Sequence, residues 1–524
     1  MTTLRYPDNI SSLADYIEQV FARFPDNPAY TALGQTLTFK ETERYSRAFA
    51  AYLREEAGLQ PGDRIAIQLP NLLQNPIAVY GALRAGLVVV NTNPLYTERE
   101  MKHQFSDSGA VALVILSDLL PKFSAIKQDT HIRTVIATSA TELLDPTTAP
   151  QLDGAVAFSE VLEQGSALPL PARSTTELDA LCMLQYTGGT TGVSKGAALS
   201  HNNILSNSLQ TLDRLGARFR DGKEVVVCPL PLYHIYAFTV CMMTFFAKGC
   251  HTLLIPNPRD IDGFIQTLKP HKFTTFAGIN TLFVGLARHP EFARLDFSEL
   301  HLTLSGGTAL TKGAASVWQS VTGCSITEGY GLSETAPVLC FNQPGEEELG
   351  SVGLPLADTE IRLLDSDDNP VPDGESGQIA ARGPQVMLGY WHRDDETAKV
   401  MTKDGFFKTG DIGVITESGS IKIVDRLKDM ILVSGFNVYP NEVEEVLTSH
   451  PNVMEAAVVG EPDDHAGEKV CAFVTLSDPI ETEALQAYCR EHLTGYKIPK
   501  SITVLDELPK STVGKILRRE LRQH

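Results

Sequence analysis

The chain has no C-x-x-C pair among its eight cysteines (Cys182, Cys228, Cys241, Cys250, Cys324, Cys340, Cys471 and Cys489). Neither a zinc site nor a small disulfide framework is therefore expected, and a reducing compartment fits. Positive charge is scarce: 44 Lys and Arg against 64 Asp and Glu leave a net charge of -20. No broad cationic field can neutralise a nucleic-acid backbone, so no nucleic-acid partner is expected. The clearest basic cluster, Lys515-Ile-Leu-Arg-Arg-Glu-Leu-Arg522, reads as a solvated helix face, with a polyphosphate or membrane contact as the alternative. The longest strongly apolar stretch, residues 235–247, is broken by Thr239 and Thr244 and falls short of the roughly 20 residues a spanning helix needs. No apolar run follows a basic start at the N-terminus, so a cytoplasmic location is expected, with any contact to the inner membrane peripheral. Internal repeats and low-complexity tracts are lacking as well.

What is present is the composition of an ordinary globular protein, 43% hydrophobic and 21% charged over 524 residues, long enough for more than one domain. Short apolar runs alternate with amphipathic segments. Arg64-Ile-Ala-Ile-Gln-Leu predicts a strand, 76–85 a helix, and Leu87-Val-Val-Val-Asn and Val111-Ala-Leu-Val-Ile-Leu two more strands. This is the α/β pattern of sheets covered by helices. Pro70, Asn71, Asn91, Asn93 and Pro94 punctuate the strand ends, where open α/β sheets carry their ligand-binding loops. Polar stretches at 139–150 and 164–176 read as surface connections. From about 356 the pattern changes to short alternating strands with turn signals, a small β-rich subdomain reaching about 425. It then resets into an α+β tail, 426–524, with helices near 441–450, 482–493 and 514–522. A hinge is expected near 425–428, with residues 1–425 as the large N-terminal domain.

The apolar strand Ala180-Leu-Cys-Met-Leu-Gln-Tyr186 runs straight into Thr-Gly-Gly-Thr-Thr-Gly-Val-Ser-Lys-Gly196. Such a loop can turn backbone N–H groups and hydroxyls inward as an anion nest, with a lysine adding a point charge. Thr187, Gly188, Gly189, Thr190, Thr191, Gly192, Ser194 and Lys195 are the candidate phosphate contacts; a surface turn is the bland alternative. The Walker frame G-x-x-x-x-G-K-[ST] cannot be fitted, which disfavours a P-loop NTPase.

This loop is followed, in order, by Pro231-Leu-Tyr-His-Ile-Tyr236, Glu328-Gly-Tyr-Gly-Leu-Ser-Glu-Thr335, Lys408-Thr-Gly-Asp411, Asp425-Arg-Leu-Lys428 and Pro509-Lys-Ser-Thr-Val-Gly-Lys515. With these motifs nearly the whole chain resembles the adenylate-forming (AMP-binding) superfamily and, within it, the bacterial long-chain fatty-acid CoA ligases. The resemblance implies a large N-terminal domain of αβ-layered sheets and a mobile C-terminal domain. It also implies a reaction in which a fatty-acid carboxylate attacks the α-phosphorus of Mg-ATP, and CoA then displaces AMP from the acyl adenylate. It makes Glu334 the Mg²⁺ ligand, a carboxylate suiting a hard cation, with Thr335 on the α-phosphate. Tyr330 and Gly331 would lie at adenine, together with Gly306, Gly307 and Thr308, whose small residues allow close backbone approach. Asp411 would accept from the ribose diol, and Arg426 would be a second nucleotide contact. Lys515 would stabilise charge growing at the α-phosphate. Gly435 would line the CoA tunnel after the C-terminal domain rotates about a hinge at Lys428. His234 would adjoin the acid site, although a lone histidine among aromatics also reads as a packed one. Residues 276–283 and 305–308 are candidate pocket walls. Their small members Ala277, Gly278, Gly306 and Gly307 predict an open slot for a medium- to long-chain acid. Two other readings stay open: an acyl-AMP ligase loading a carrier protein, and a non-catalytic acyl or nucleotide sensor. Pairing as a homodimer is equally open.

Overall fold

The computed structural model describes residues 4–150, 154–173, 177–187, 193–372, 374–463, 465–511 and 514–522. The described residues form four sheets. Strands Arg64–Gln68, Val88–Asn91 and Ala112–Leu116 lie side by side in parallel, Ile65 facing Val89 on one flank and Ala112 on the other. Parallel strands are covered on both faces, which is why these segments read as unbroken apolar runs. The sheet has eight strands in the order Gly389–Tyr390, Lys195–Ser200, Leu181–Thr187, Val88–Asn91, Arg64–Gln68, Ala112–Leu116, Thr134–Thr138 and Val156–Ala157. Leu181–Thr187 joins it in parallel and pairs antiparallel with Lys195–Ser200.

A nine-stranded sheet forms the second layer, with Val225–Cys228, Thr275–Gly278, Leu302–Ser305 and Ile326–Gly331 running parallel at its centre. Helix Gln74–Arg84 is buried along its whole length. A helix buried on every side belongs between layers, and the core containing Tyr30, Ile67, Tyr80, Met183 and Leu304 is continuous across both sheets. Helix His201–Leu215 starts directly after Lys195–Ser200 because Ser200 accepts from the N–H of Asn203 while Asn203 returns a bond to the Ser200 N–H, a reciprocal cap.

The β-rich subdomain is an antiparallel sheet of Glu360–Leu364, Gly377–Arg382, Phe407–Ile415 and Ile421–Arg426. It differs from the sequence expectation in two ways. Gly389–Tyr390 leaves it to pair with the phosphate-loop strand, and Arg426 is its last residue, paired with Asp411, rather than the first residue of the tail. The tail has a core of its own, with Pro440–Ser449 and Thr482–His492 packed on strands Val453–Asp463 and Gly467–Leu476. The helix expected over 514–522 shrinks to Arg518–Leu521, because Ile516 bridges to Lys510 in extended form. Residues 164–166, expected as a connection, finish helix Phe158–Ser166. The apolar stretch 235–247 is a buried π-helix, Ala237–Thr244, continued by Phe245–Ala247. Among the described residues no helix is long and apolar enough to cross a membrane. All eight cysteines are buried and free.

Candidate active site

The three parallel strands Thr275–Gly278, Leu302–Ser305 and Ile326–Gly331 end at one edge, and the site grows from the loops that leave them. Gly307 has a φ of 80°, the left-handed region that favours glycine. A Cβ on Gly306 would lie 3.3 Å from Tyr236 Cε1, so the ring of Tyr236 covers this turn. That narrows, at Gly306, the open slot expected from small residues. At Gly278 a Cβ would come within 2.8 Å of Phe283, whose ring belongs to the separate cluster with Phe276 and Trp318. Ala277 faces the opposite, inter-sheet core. Strand alternation sends Ala277 and Gly278 to opposite faces, and rings stand beside Gly278 and Gly306, whereas a Cβ on Gly307 would meet nothing within 4 Å. The segment carrying Tyr236 is itself pinned by Asn71, which accepts from the Leu232 N–H at 2.9 Å and donates to the Leu230 carbonyl at 2.9 Å.

Glu334 sits in the short turn Ser333–Thr335 and is only 9% exposed. Its Oε1 accepts the Tyr390 hydroxyl at 2.8 Å. Burial raises the carboxyl's pKa, with the Tyr390 hydrogen bond, Arg426 and Lys195 acting in the opposite direction. No cation stands within ion-pair distance of it among the described residues. A desolvated carboxylate that no side-chain cation neutralises fits a hard cation such as Mg²⁺. The described residues hold no group of three or more His, Cys, Asp or Glu placed for a metal. Glu334 would thus be the protein's share of a coordination sphere otherwise made of nucleotide oxygens and water. Thr335 departs from the expectation of a phosphate contact. It is fully buried, and its hydroxyl accepts from the Leu332 N–H and donates to the Pro337 carbonyl, so it shapes the turn from within. Asn207 anchors the strand that follows, accepting from the Val338 N–H at 2.9 Å and donating to its carbonyl at 2.7 Å.

Gly188, Gly189, Thr190, Thr191 and Gly192 lie outside the described residues. Flanking them, Thr187 pairs with Lys195 across the two strands, and the Ser194 carbonyl accepts from the His103 ring at 2.8 Å. Lys195 does not stand alone: its ammonium lies 2.8 Å from Glu396 and 4.5 Å from the centre of the Tyr390 ring. Sequence reasoning missed both partners. No local pattern marks them, and only the pairing of Tyr390 with Ala197 brings them here.

On the other wall the Tyr330 hydroxyl donates to Asp411 at 2.7 Å, and Arg426 approaches the second Asp411 oxygen at 3.3 Å. A Cβ on Gly331 would fall 1.8 Å from the Pro337 carbonyl, so this close approach requires glycine. Lys515 enters the cleft from the tail. Gly514 has a φ of 74° and passes so near Ile279 that a Cβ would be 2.5 Å from its Cδ1. Burial and the neighbouring Arg426 push the Lys515 ammonium down to about 7, with Asp411 partly offsetting them. His234 is pushed down to about 4, chiefly by burial and further by Lys515, so it is neutral at pH 7. Its Nδ1 accepts from the Tyr236 N–H at 3.3 Å. Gly435 is elsewhere, with a φ of 83° at the exposed tip between Ile431–Val433 and Phe436–Val438. Lys428 follows Arg426 in the turn linking the small sheet to the tail.

A doubly layered α/β body, a carboxylate suited to a metal, and a lysine delivered from a separate tail define an adenylate-forming enzyme. The family models agree: residues 17–391 match the AMP-binding enzyme family and residues 442–515 its C-terminal domain, so the chain belongs to the AMP-binding enzymes. Among characterised relatives it is 47% identical to the long-chain-fatty-acid–CoA ligase of Escherichia coli O6:H1, over 98% of this chain and 95% of that protein. It is 43% identical to the ligase of the same name from Haemophilus influenzae, over 98% and 94%. Among solved structures, ATP-bound MatB from Rhodopseudomonas palustris superposes with a TM-score of 0.86 at 29% identity, covering 98% of this chain and 99% of that one.

Proposed function

We propose that the protein is a long-chain fatty acid–CoA ligase: it joins a fatty acid to ATP, releasing pyrophosphate, and passes the acyl group from the adenylate to CoA, releasing AMP. The observation that carries this reading is the placement of Lys515, which reaches from the tail to the wall formed by Tyr330, Asp411 and Arg426 and to His234. Asp411 and Tyr330 are suited to the ribose and adenine, and Lys195 to the distal phosphates. Glu334 would hold Mg²⁺, which supplies charge neutralisation on the polyphosphate. As the carboxylate oxygen attacks the α-phosphorus and pyrophosphate leaves, negative charge builds on the non-bridging oxygens. The Lys515 ammonium is positioned to stabilise that charge.

The second step needs a thiol in place of pyrophosphate. The body up to Arg426 and the tail beyond Lys428 are inferred to be the two rigid parts, turning about Lys428 so that Lys515 withdraws and Gly435 approaches. In this arrangement Lys515 is docked and Gly435 exposed, which corresponds to the adenylation half of the cycle.

The test separates the two half-reactions. Lys515→Ala abolishes fatty-acid-dependent pyrophosphate release but still converts supplied acyl-AMP and CoA to thioester. Loss of both in a folded variant would refute the division of labour. A chain-length series in the same pyrophosphate assay identifies the preferred acid, and acyl-AMP accumulating in the presence of free CoA would point instead to a carrier-loading enzyme.

A further inference from the structure

Residues 387–396 carry no sequence signal for chemistry, yet they grip both ends of the polyphosphate site. The Met387 N–H donates to the Glu334 carbonyl at 2.8 Å, and the Tyr390 hydroxyl donates to the Glu334 carboxylate at 2.8 Å. One short segment thus fixes both the backbone and the side chain of that residue. The other function of Tyr390 is its ring, over which the Lys195 ammonium sits at 4.5 Å, while Glu396 holds the same ammonium at 2.8 Å. Tyr390 is 8% exposed and is paired in antiparallel register with Ala197, two residues from Lys195, so its place is set by the sheet rather than by a loop.

We propose that Tyr390 is a positioning residue for adenylation, one side chain that fixes the Glu334 carboxylate and the Lys195 ammonium relative to each other for a single metal–polyphosphate. The proposal rests on the reading of Glu334 as metal ligand and Lys195 as phosphate contact. A glutamate side chain has three torsions, and a free carboxylate would have to be ordered at the moment of binding. The hydroxyl on Oε1 removes that cost and leaves Oε2 with its lone pairs available to a cation. The ring face attracts the lysine by its quadrupole and keeps it on the same side of the strand. Hydroxyl and ring therefore serve different groups, and substitution can separate them.

Tyr390→Phe removes only the hydroxyl, and Tyr390→Leu removes both functions. Free Mn²⁺ is followed by electron paramagnetic resonance in titrations of the enzyme–ATP complex, and metal-free ATP binding is measured by calorimetry with chelator present. For Tyr390→Phe, Mn²⁺ binding weakens about tenfold, while metal-free ATP binding stays within about twofold of wild type. For Tyr390→Leu, metal-free ATP binding also weakens, by about fivefold. The thioester half-reaction from supplied acyl-AMP needs no polyphosphate and serves as the control for folding in both variants. Unchanged Mn²⁺ affinity in Tyr390→Phe, equal weakening with and without metal, or loss of the thioester half-reaction would each overturn the proposal. Glu334→Gln tests the underlying reading separately. If it leaves Mn²⁺ affinity intact, Glu334 is not the ligand, whatever Tyr390 does.

Discussion

Lys515 offers a prediction in protons. In the docked arrangement burial and Arg426 bring its ammonium down to about 7, against about 10.4 for a lysine in water. A lysine with depressed proton affinity docks most readily when neutral. The loop's hold on the cleft therefore weakens as pH falls from the free-lysine range toward 7, by about 1.4 kcal/mol per pH unit. Polyphosphate reverses the balance, because an anion beside the ammonium favours its charged form. At pH 8 the ligand-free lysine is only about one-tenth protonated, so binding Mg-ATP draws in about 0.9 proton; at pH 6 the uptake falls to about 0.1. The assay is calorimetry with a non-hydrolysable ATP analogue in buffers of different ionisation enthalpy, taking the difference between wild type and Lys515→Ala. That difference isolates the lysine from protons carried by the nucleotide itself. His234 does not contribute at pH 8, since it lies near 4. No excess uptake by wild type at pH 8, or an equal uptake in the alanine variant, would refute the placement of Lys515 at the phosphates.

Three further outcomes follow from the packing. Gly514→Ala puts a methyl within 2.5 Å of Ile279 at a φ of 74°; adenylation measured by pyrophosphate release falls at least tenfold, while supplied acyl-AMP is still consumed. Asn207→Ala removes the partner of the buried Val338 N–H, while the Val338 carbonyl keeps the Gln385 amide at 3.3 Å, and lowers stability by about 1–3 kcal/mol in denaturant unfolding of the large domain. Arg518→Met removes the guanidinium that pairs Glu444 at 2.8 Å and faces the buried Asp425 at 3.8 Å, while Asp429 keeps Arg522; the cost of about 3–5 kcal/mol appears as early unfolding of the tail in calorimetry, ahead of the main transition.

Local rules explain why much of the architecture could be read from the chain. Strands such as Val88–Asn91 announce themselves because burial on both faces demands continuous apolar residues. Helices Gln74–Arg84 and Pro440–Ser449 lie where amphipathic segments are expected, near 76–85 and 441–450. The pocket walls were less legible. Ala277 and Gly278 are neighbours in sequence, but strand alternation sends them to opposite faces, and rings from Tyr236 and Phe283 stand beside Gly306 and Gly278 where small residues suggested open space. Thr335 reads as a free hydroxyl until the turn that consumes it is seen.

The sequence alone determined the chemistry on offer: a glycine- and threonine-rich loop after a strand, a carboxylate at 334, an aspartate at 411 and a lysine at 515, in a fixed order along the chain. The anion nest is a property of a short segment, whereas the three charged residues stand out only through the resemblance that their ordered motifs carry. Tertiary structure alone decided which of these groups meet and what holds them. Tyr390 and Glu396 lie about 200 residues from Lys195, and only a two-residue strand added to the edge of a sheet brings them together. The proton affinity of Lys515 is likewise set by burial and by Arg426 across the cleft. Desolvation and charge–charge distances are properties of the folded chain, and no motif encodes them.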